Sequence, residues 1–244
     1  MSSYNEFAKF YDSLTENVNY HDISLFIDRV LANNFAERGI LLDLACGTGS
    51  LSVEMSKLGY DVIGVDYSTE MLSEAIQKSN NCGENILFLC QPMQELDLYG
   101  TVDCVVCALD SLNHINKNDL VETFKRVSMF LNPNGFFIFD LNTEYKHEQI
   151  LANNTFIYDC EDIYCVWQNS LKRDRVNISL DFFEKKNGVY HRSEENFFEY
   201  TYDEKFIEKL ILKNGLEIVN RYDDYSLNSP VSQTQRIVYI TRKV

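Results

Sequence analysis

The feature that most constrains the fold is a short apolar segment, residues 40–44, followed by a tight loop with two glycines, Gly47 and Gly49. An uninterrupted apolar run is typical of a strand that is buried on both faces of a parallel sheet. Glycine lets the loop adopt backbone angles that a side chain forbids, and it lets a ligand approach the main chain. An amphipathic segment follows, and a second apolar run, residues 61–66, ends on Asp66. The order strand, glycine loop, helix, strand and acid predicts a site for an adenosine-containing molecule.

The loop differs from two other nucleotide-binding patterns. A nicotinamide dinucleotide fingerprint places a glycine or alanine three residues after Gly49, and Ser52 stands there. A loop for nucleoside triphosphates ends in a lysine followed by serine or threonine, and no such pair follows this loop. Asp66 lies about 20 residues beyond the loop, where a carboxylate can accept both hydroxyls of a ribose. The pattern therefore favours an adenosine cofactor other than a nicotinamide dinucleotide.

Composition limits the partners that the protein can have. The 244 residues carry 37 acidic and 22 basic side chains, which gives a net charge of −15. Such a surface repels phosphate backbones, so we expect no nucleic-acid partner. No apolar run approaches the roughly 20 residues that span a bilayer, and no signal peptide is visible, so we expect no membrane contact. Seven cysteines without a secretory signal indicate reduced thiols and a cytoplasmic location. We expect a monomer or a homodimer.

Strand and helix patterns alternate through the middle of the chain. Predicted strands near 40–44, 61–66, 86–90, 102–107 and 135–140 are separated by helical stretches, which predicts an α/β fold with a parallel sheet. The clearest helix covers 118–131. A helix near 203–214 and two strands, 216–222 and 236–242, complete the pattern at the C-terminus. Residues 5–35 have a helical pattern and are expected to cap the sheet.

The segment 155–202 has a different character. It is rich in aromatic and β-branched residues, and residues 176–182 alternate between apolar and polar. Asn187-Gly188 is a strong signal for a hairpin turn. We expect three or so antiparallel strands here, inserted after the fifth strand. The predicted organisation is a cofactor-binding domain of residues 1–154 and 203–244, with residues 1–38 as its N-terminal cap, and a small β insertion of residues 155–202.

Several segments together resemble class I S-adenosylmethionine-dependent methyltransferases. The resemblance extends from about residue 4 to the end, and the motifs that carry it are 42–49, 65–72, 88–93, 103–107 and 131–136. The opening segment, 4–12, resembles the N-terminal cap of a small-molecule branch of that family. The resemblance implies a Rossmann-like sheet of seven strands, mostly parallel with the last strand antiparallel, and with helices on both faces. It also implies S-adenosyl-L-methionine as the cofactor.

The same resemblance assigns the cofactor contacts. Asp43 would hold the amino group of the methionine part, Asp66 the ribose hydroxyls, and Pro92 replaces an acid that relatives use to bind adenine. The full set of implied cofactor-binding residues is Tyr11, Tyr20, Asp43, Ala45, Cys46, Gly47, Asp66, Tyr67, Met71, Gln91, Pro92, Met93 and Asp110. Each residue type also has an ordinary structural use, such as a turn cap for Asp43 or core packing for Met71.

The acceptor end is less defined by the sequence. Asn113 and His114 follow the fourth predicted strand, where they could orient or deprotonate an acceptor, although His114 could equally be a helix-terminal histidine. Aromatic residues that could close the site are Tyr4, Tyr11, Tyr20 and Trp167, and Arg192 and Arg236 could meet an acidic acceptor or pair with surface acids.

Asp110, Asp140 and Asn142 offer the kind of oxygen ligands that a hard cation takes. The sequence around Asp140 looks like that of the metal-free branch, so we expect no metal. The resulting hypothesis is a methyltransferase for a small molecule, with an amine or amino sugar as the favoured acceptor. The alternative is a protein that binds the cofactor for regulation and transfers nothing.

Overall fold

The computed structural model describes residues 11–12, 14–33, 37–160 and 163–244. Helix α1 (Tyr20–Ala32) lies in the region predicted as the cap, and Asn19 caps its first turn by accepting a hydrogen bond from the amide of Asp22. Ile23, Phe26 and Ile27 face the core, so the helix packs its apolar side on the sheet. Residues 1–10, which include Tyr4 and most of the segment that resembles a family cap, lie outside the described residues.

The main sheet has seven strands, which lie side by side in the order β10 (Leu216–Asp223), β11 (Arg236–Lys243), β5 (Leu131–Asn142), β4 (Val102–Cys107), β1 (Ile40–Leu44), β2 (Asp61–Asp66) and β3 (Leu87–Cys90). All neighbours pair in parallel except β11, which is antiparallel to both β5 and β10. This confirms the predicted seven-stranded, mostly parallel sheet. The helices that connect these strands are α2 (Ser50–Lys57), α3 (Thr69–Cys82), α4 (Lys117–Phe130) and α5 (Glu204–Lys213).

Helices cover both faces of the sheet, because successive strand residues point to opposite sides. In β1, Leu41 joins a core with residues of α1 and α2, whereas Leu42 joins a core with residues of α4 and α5. Strand β5 begins at Leu131, four residues before its predicted start. Leu131 pairs with Val102, and the register then shifts before the parallel ladder resumes.

A second sheet contains four antiparallel strands, one more than the three or so that we expected. They are β6 (Thr155–Cys160), β7 (Ile163–Leu171), β8 (Arg175–Lys186) and β9 (Val189–Tyr200), paired in that order. Asn187 and Gly188 have φ angles of 52° and 79° and form the predicted turn between β8 and β9. One face of β8 is buried through Val176, Ile178 and its alternate neighbours, which gives this sheet a small core of its own.

Two short helical segments follow neighbouring strands at the carboxyl edge of the main sheet. A 3₁₀ turn, Ser111–His114, follows β4, and a π-helix, Lys146–Leu151, follows β5. Leu109 and Asp110 enter the 3₁₀ turn with φ angles of 57° and 54°, which are uncommon for residues with a side chain. Because β4 and β5 are adjacent, the side chains of these two segments converge.

No helix in the described parts of the chain is long and apolar enough to span a bilayer.

Candidate functional site

A cavity of about 970 Å³ opens at the carboxyl edge of the main sheet and extends to the second sheet. Most of the residues predicted to bind the cofactor line it: Tyr11, Ala45, Gly47, Asp66, Tyr67, Met71, Pro92, Met93 and Asp110. His114 and Trp167 line it as well. The lining does not include Tyr20, Asp43, Cys46, Gln91 or Asn113; of these predicted residues, Asp43 and Asn113 are buried.

The glycine loop is fixed around Asp66. The amide of Gly47 donates to Asp66 Oδ2 and the amide of Ser68 to Asp66 Oδ1, each over 2.9 Å. Burial raises the pKa of the Asp66 carboxyl, while these amide donors oppose that shift. Each carboxylate oxygen has a further lone pair, which leaves Asp66 able to accept two hydroxyls. A Cβ built on Gly47 would meet no atom within 4 Å, so open space lies beside the loop's main chain, where a ligand can approach it closely.

Asp43 lies under the loop and is only 2% exposed. Its Oδ2 accepts a 2.5 Å hydrogen bond from Ser52 Oγ, so the serine that breaks the dinucleotide pattern holds this carboxyl. Burial raises the pKa of Asp43 to about 6, although the Ser52 bond opposes the shift. Cys46 is partly buried beside the same charges. An effect of Asp43 on a ligand therefore requires a charge interaction through the loop or a bridging water.

In the segment 91–93, which was predicted to contact adenine, one residue stabilises its own loop and two line the cavity. Gln91 closes its own loop, because its side chain donates to the carbonyl of Asp97 and accepts from the amide of Asp97. Pro92 and Met93 line the cavity instead. Met71 is 4% exposed and Tyr67 is 50% exposed, so Met71 has a fixed position at the cavity and Tyr67 lies at its rim.

The N-terminal segment is joined to the glycine loop by polar contacts. Asp12 accepts from Thr48 Oγ1 over 2.7 Å and pairs with Lys78 Nζ at 2.7 Å. The hydroxyls of Tyr11 and Tyr20 form a hydrogen bond, and burial raises the pKa of Tyr11 well above its usual value. Tyr11 therefore contributes to the cavity wall as a neutral phenol that Tyr20 supports.

Asp140 shapes the turn that carries the acceptor end of the site. This fully buried carboxylate accepts from the amides of Leu109 and Asp110, each over 2.6 Å, and from the hydroxyl of Tyr225. The uncommon φ angles of Leu109 and Asp110 follow, because both amides must turn toward one side chain. Arg236 lies 3.5 Å away through its Nε. The hydrogen bonds of Asp140 are therefore made to groups of the protein itself. They fix the turn that places Asp110 in the cavity wall.

Asp110 lies between an arginine and a histidine. Its Oδ1 accepts from Arg236 Nη2 over 2.5 Å, and its Oδ2 lies 3.7 Å from His114 Nε2. Burial alone would raise the pKa of Asp110, but Arg236 outweighs it and holds the pKa well below its usual range. Burial also opposes the protonation of His114, yet the bond to Asp110 and the charges of Glu199 and Asp110 raise its pKa above the ordinary histidine value. His114 is therefore a stronger proton acceptor than a free histidine.

Asn113 supports this arrangement without lining the cavity. The residue is fully buried, its Nδ2 donates to the carbonyl of Tyr200 over 2.8 Å, and its Oδ1 accepts from the amide of Asn142 over 3.0 Å. These bonds tie the 3₁₀ turn to β9 and to the end of β5. A direct contact between this amide and an acceptor, as suggested from the sequence, does not fit this placement.

The two arginines suggested from the sequence to meet an acceptor, Arg192 and Arg236, lie in different parts of the structure. Arg236 lines the cavity and pairs with Asp110, whereas Arg192 lies on the exposed side of β9 and pairs with Asp181 over 2.8 Å. The position of Arg192 therefore does not support a contact with the methyl acceptor. Trp167 is in the cavity wall, where its Nε1 donates to Asn169 Oδ1.

Sequence reasoning missed Glu199 and Lys146, which both line the cavity. Glu199 is 3% exposed and comes from β9 of the second sheet. Polar atoms of Asp110, His114 and Glu199 all lie within 4.8 Å of one another. The signal in the sequence was the alternation along β9, which places Glu199 and Phe197 on its inner face, but the pairing partners of that strand were not readable from the sequence.

Comparison with known proteins agrees with this geometry. A family model described as a methyltransferase domain matches residues 41–135. The chain is 34% identical over 244 residues to YqeM of Bacillus subtilis (strain 168), whose name describes it as a methyltransferase, and the match covers 98% of this chain and 97% of that protein.

Solved structures have the same fold. An S-adenosylmethionine-dependent methyltransferase from Clostridium acetobutylicum ATCC 824 has a TM-score of 0.91 and 36% identity, and 99% of each chain is covered. The sugar N-methyltransferase KedS8 from Streptoalloteichus sp ATCC 53650 has a TM-score of 0.80 at 16% identity, with 98% of this chain and 93% of that chain covered. Together with the glycine loop, Asp66 and the seven-stranded sheet, these matches establish that the chain belongs to the class I S-adenosylmethionine-dependent methyltransferases.

Proposed function

We propose that this methyltransferase acts on a small-molecule amine, with an amino sugar as one form of it. The observation that carries the proposal is the continuity of the cavity, which joins Gly47 and Asp66 at one end to His114 and the second sheet at the other. A ligand held at the cofactor end thus has its reactive group directed toward Asp110 and His114. The name of the structural neighbour KedS8, a sugar N-methyltransferase, supports an amine acceptor.

The charges around His114 also favour an amine. Glu199 adds a carboxylate beside the imidazole that Asp110 already contacts, and this arrangement favours a hydrogen-bond donor such as an amine. When bound, S-adenosylmethionine would supply a methyl group on a sulfonium: the lone pair of the amine nitrogen would attack the methyl carbon in line while the carbon–sulfur bond breaks, and a neutral thioether would leave. His114 accepts the proton that the amine loses, and Asp110 stabilises the resulting imidazolium. The remaining lining residues align the two reactants and exclude water.

The proposal retains the roles suggested by the sequence for the residues in contact with the cavity. Asp66 accepts the ribose hydroxyls, the main chain of Ala45 and Gly47 lies against the cofactor, and Met71 packs on adenine. Asp43 acts through its charge on the amino group of the methionine part. Residues 155–202 form the acceptor-side insertion, and residues 1–154 with 203–244 form the cofactor domain.

The decisive experiment uses the cofactor with a labelled methyl group and a small-metabolite extract. We expect label to appear in a product that contains a methylated nitrogen. The alternative function, cofactor binding for regulation, predicts tight S-adenosylhomocysteine binding with no labelled product from any extract or amine. That result would remove the enzymatic proposal and leave the binding proposal in place.

The affinity for S-adenosylhomocysteine is expected to depend on pH through Asp43. Because the pKa of Asp43 is about 6, its carboxylate forms as the pH rises, and only the carboxylate attracts the ligand's ammonium group. The dissociation constant should fall about tenfold from pH 5 to pH 7 for a single linked group. Calorimetric titration across this range should show a flatter dependence for Asp43→Asn. Ser52→Ala should move the midpoint to higher pH, because it removes a bond that favours the carboxylate. A wild-type constant that does not change with pH would contradict the role of Asp43.

We expect transfer to proceed without a metal. Asn142 donates to Glu199 and accepts from Lys146, so its amide, like the carboxylate of Asp140, is used within the protein. Asp110, His114 and Glu199 do bring potential ligand atoms within 4.8 Å, but Arg236 already neutralises Asp110. Full transfer rate in EDTA is the expected result. Loss of activity in EDTA, with recovery on addition of a divalent cation, would instead assign a metal to these three residues.

A further inference from the structure

Asn142, at the end of β5, holds two opposite charges apart. Its Nδ2 donates to Glu199 Oε2 over 2.8 Å, and its Oδ1 accepts from Lys146 Nζ over 2.8 Å. The amide therefore separates a carboxylate from an ammonium that would otherwise attract each other. Both charged residues line the cavity. Opposite charges that are held apart in a cavity wall are arranged for a ligand that carries both complementary charges.

Glu199 is a rigid member of this pair. Its Oε2 also accepts from His147 Nε2 over 3.1 Å, and His147 is fully buried in the π-helix. Two donors on one oxygen fix the orientation of the carboxylate, while the group as a whole remains within 4.8 Å of the polar atoms of Asp110 and His114. An amine placed near His114 thus lies within reach of Glu199.

Lys146 is the second member, and no carboxylate pairs with it directly, although its charge also acts on Asp110. Its ammonium has three donors, and Asn142 Oδ1 is a neutral acceptor. No carboxylate of the described residues lies within 4 Å of Lys146 Nζ. Arg236 is different, because it forms ion pairs with Asp110, Asp140 and Asp224 in the same cavity. Lys146 therefore remains available for one additional negative charge.

We propose that Glu199 and Lys146 recognise an acceptor that carries both an amine and a carboxylate, with the amine toward Glu199 and His114 and the carboxylate against Lys146. This inference rests on the proposed transfer of a methyl group to an amine. It narrows the amines of the proposed function to amino acids or similar zwitterions, so an amino sugar qualifies only if it also carries an acid group. An acceptor without the carboxylate leaves the Lys146 ammonium with only the neutral Asn142 oxygen beside it, and an acceptor without the amine gives the Glu199 carboxylate no cationic partner from the ligand, so each is disfavoured.

The cavity wall beyond these charges defines suitable probes. Tyr158, Trp167 and Phe197 line the part formed by the second sheet, so an aromatic body can pack there. L-phenylalanine, phenethylamine and 3-phenylpropanoate share that body. They carry both charges, only the ammonium, and only the carboxylate, respectively. Calorimetry on protein loaded with S-adenosylhomocysteine compares their affinities, and the comparison does not require the natural acceptor to be identified.

We expect phenylalanine to bind the loaded wild-type protein at least about tenfold more tightly than either analogue, since one charged contact is worth about that factor. Lys146→Gln should remove the advantage over phenethylamine, and Lys146→Arg should restore part of it. Glu199→Gln should remove the advantage over 3-phenylpropanoate. Matched controls are Lys172→Gln, an exposed lysine between β7 and β8, and Glu194→Gln, which pairs with Arg192 on the exposed side of β9. Both should behave as wild type.

Three outcomes would overturn the inference: equal binding of phenethylamine and phenylalanine by the wild type, unchanged preferences in the two variants, or no binding of any of the three probes to the loaded protein. Because Glu199 is buried, its variant could lose stability, but the wild-type comparison and the Lys146 variants test the inference without it. Failure of S-adenosylhomocysteine itself to bind would contradict the proposed function, so the two failures are distinguishable.

Discussion

Replacing His114 with alanine is expected to lower kcat by a factor of about 10²–10⁴, the usual contribution of a general base. The dissociation constant of S-adenosylhomocysteine should stay within about twofold of the wild-type value, because His114 lies at the acceptor end of the cavity. Steady-state kinetics with the acceptor found in the labelled-methyl assay provide the first value, and calorimetry provides the second. His191→Ala is the matched control, since His191 is exposed on β9.

The pH dependence distinguishes a base from a structural histidine. His114 must be neutral to accept a proton, and its pKa lies above the ordinary value. In the wild type, kcat/KM should therefore rise with pH to a plateau that begins above the usual pKa of histidine. Asp110→Asn removes a negative charge that favours the imidazolium, so the rise should move to lower pH. Two results would show that His114 is not the base. One is unchanged turnover in His114→Ala, and the other is a pH profile that is the same in the wild type, His114→Ala and Asp110→Asn.

Replacing Asp66 with alanine is expected to weaken S-adenosylhomocysteine binding about 100-fold. Two charge-assisted hydrogen bonds to the ribose hydroxyls contribute about 1.5 kcal/mol each or more, and about 1.4 kcal/mol corresponds to a factor of ten. The loss should be larger than that of ligand contacts alone, because the amides of Gly47 and Ser68 also lose their acceptor. Calorimetric titration measures the change.

The control for this substitution is Asp61→Ala at the opposite end of β2, where the side chain is exposed. It should bind S-adenosylhomocysteine as the wild type does. If Asp66→Ala also binds normally, the position of the ribose in this cavity is wrong. If both variants bind weakly and melt at a lower temperature, the effect belongs to the stability of β2 and not to a contact with the ligand.

The main sheet was predictable because each of its strands has a local signature. Apolar runs bounded by turns located β1, β2 and β4, and the amphipathic pattern of 118–131 located α4 to within a residue at each end. The glycine loop and Asp66 are close in sequence, so their meeting at one edge follows from the strand–loop–helix–strand order. This part of the cofactor end is therefore readable from about 30 consecutive residues, whereas Tyr11, Pro92 and Met93 line the same cavity from outside that unit.

The acceptor end was not predictable in the same way, because its contacts join distant parts of the chain. Glu199 reaches His114 only through the pairing of β9 and the bonds of Asn113. From its residue type and its place after β4, Asn113 looks like a residue that contacts the methyl acceptor. Only the structure reveals that its side-chain amide is hydrogen-bonded to backbone groups of Tyr200 and Asn142. Gln91 was misleading for a related reason, since its side chain serves its own loop.

The bond from Asn113 to the carbonyl of Tyr200 has a consequence for how such an enzyme can diversify. The hydrogen-bond acceptor is a main-chain carbonyl, which every amino acid supplies, so this bond needs no particular side chain at position 200, and the side-chain bonds of Glu199 to Asn142 and His147 involve β9 alone. Mutations in β6, β7 and β8 can therefore change which molecules are admitted while the reacting groups keep their alignment. In laboratory evolution toward new acceptors, these three strands are where substitutions should be concentrated.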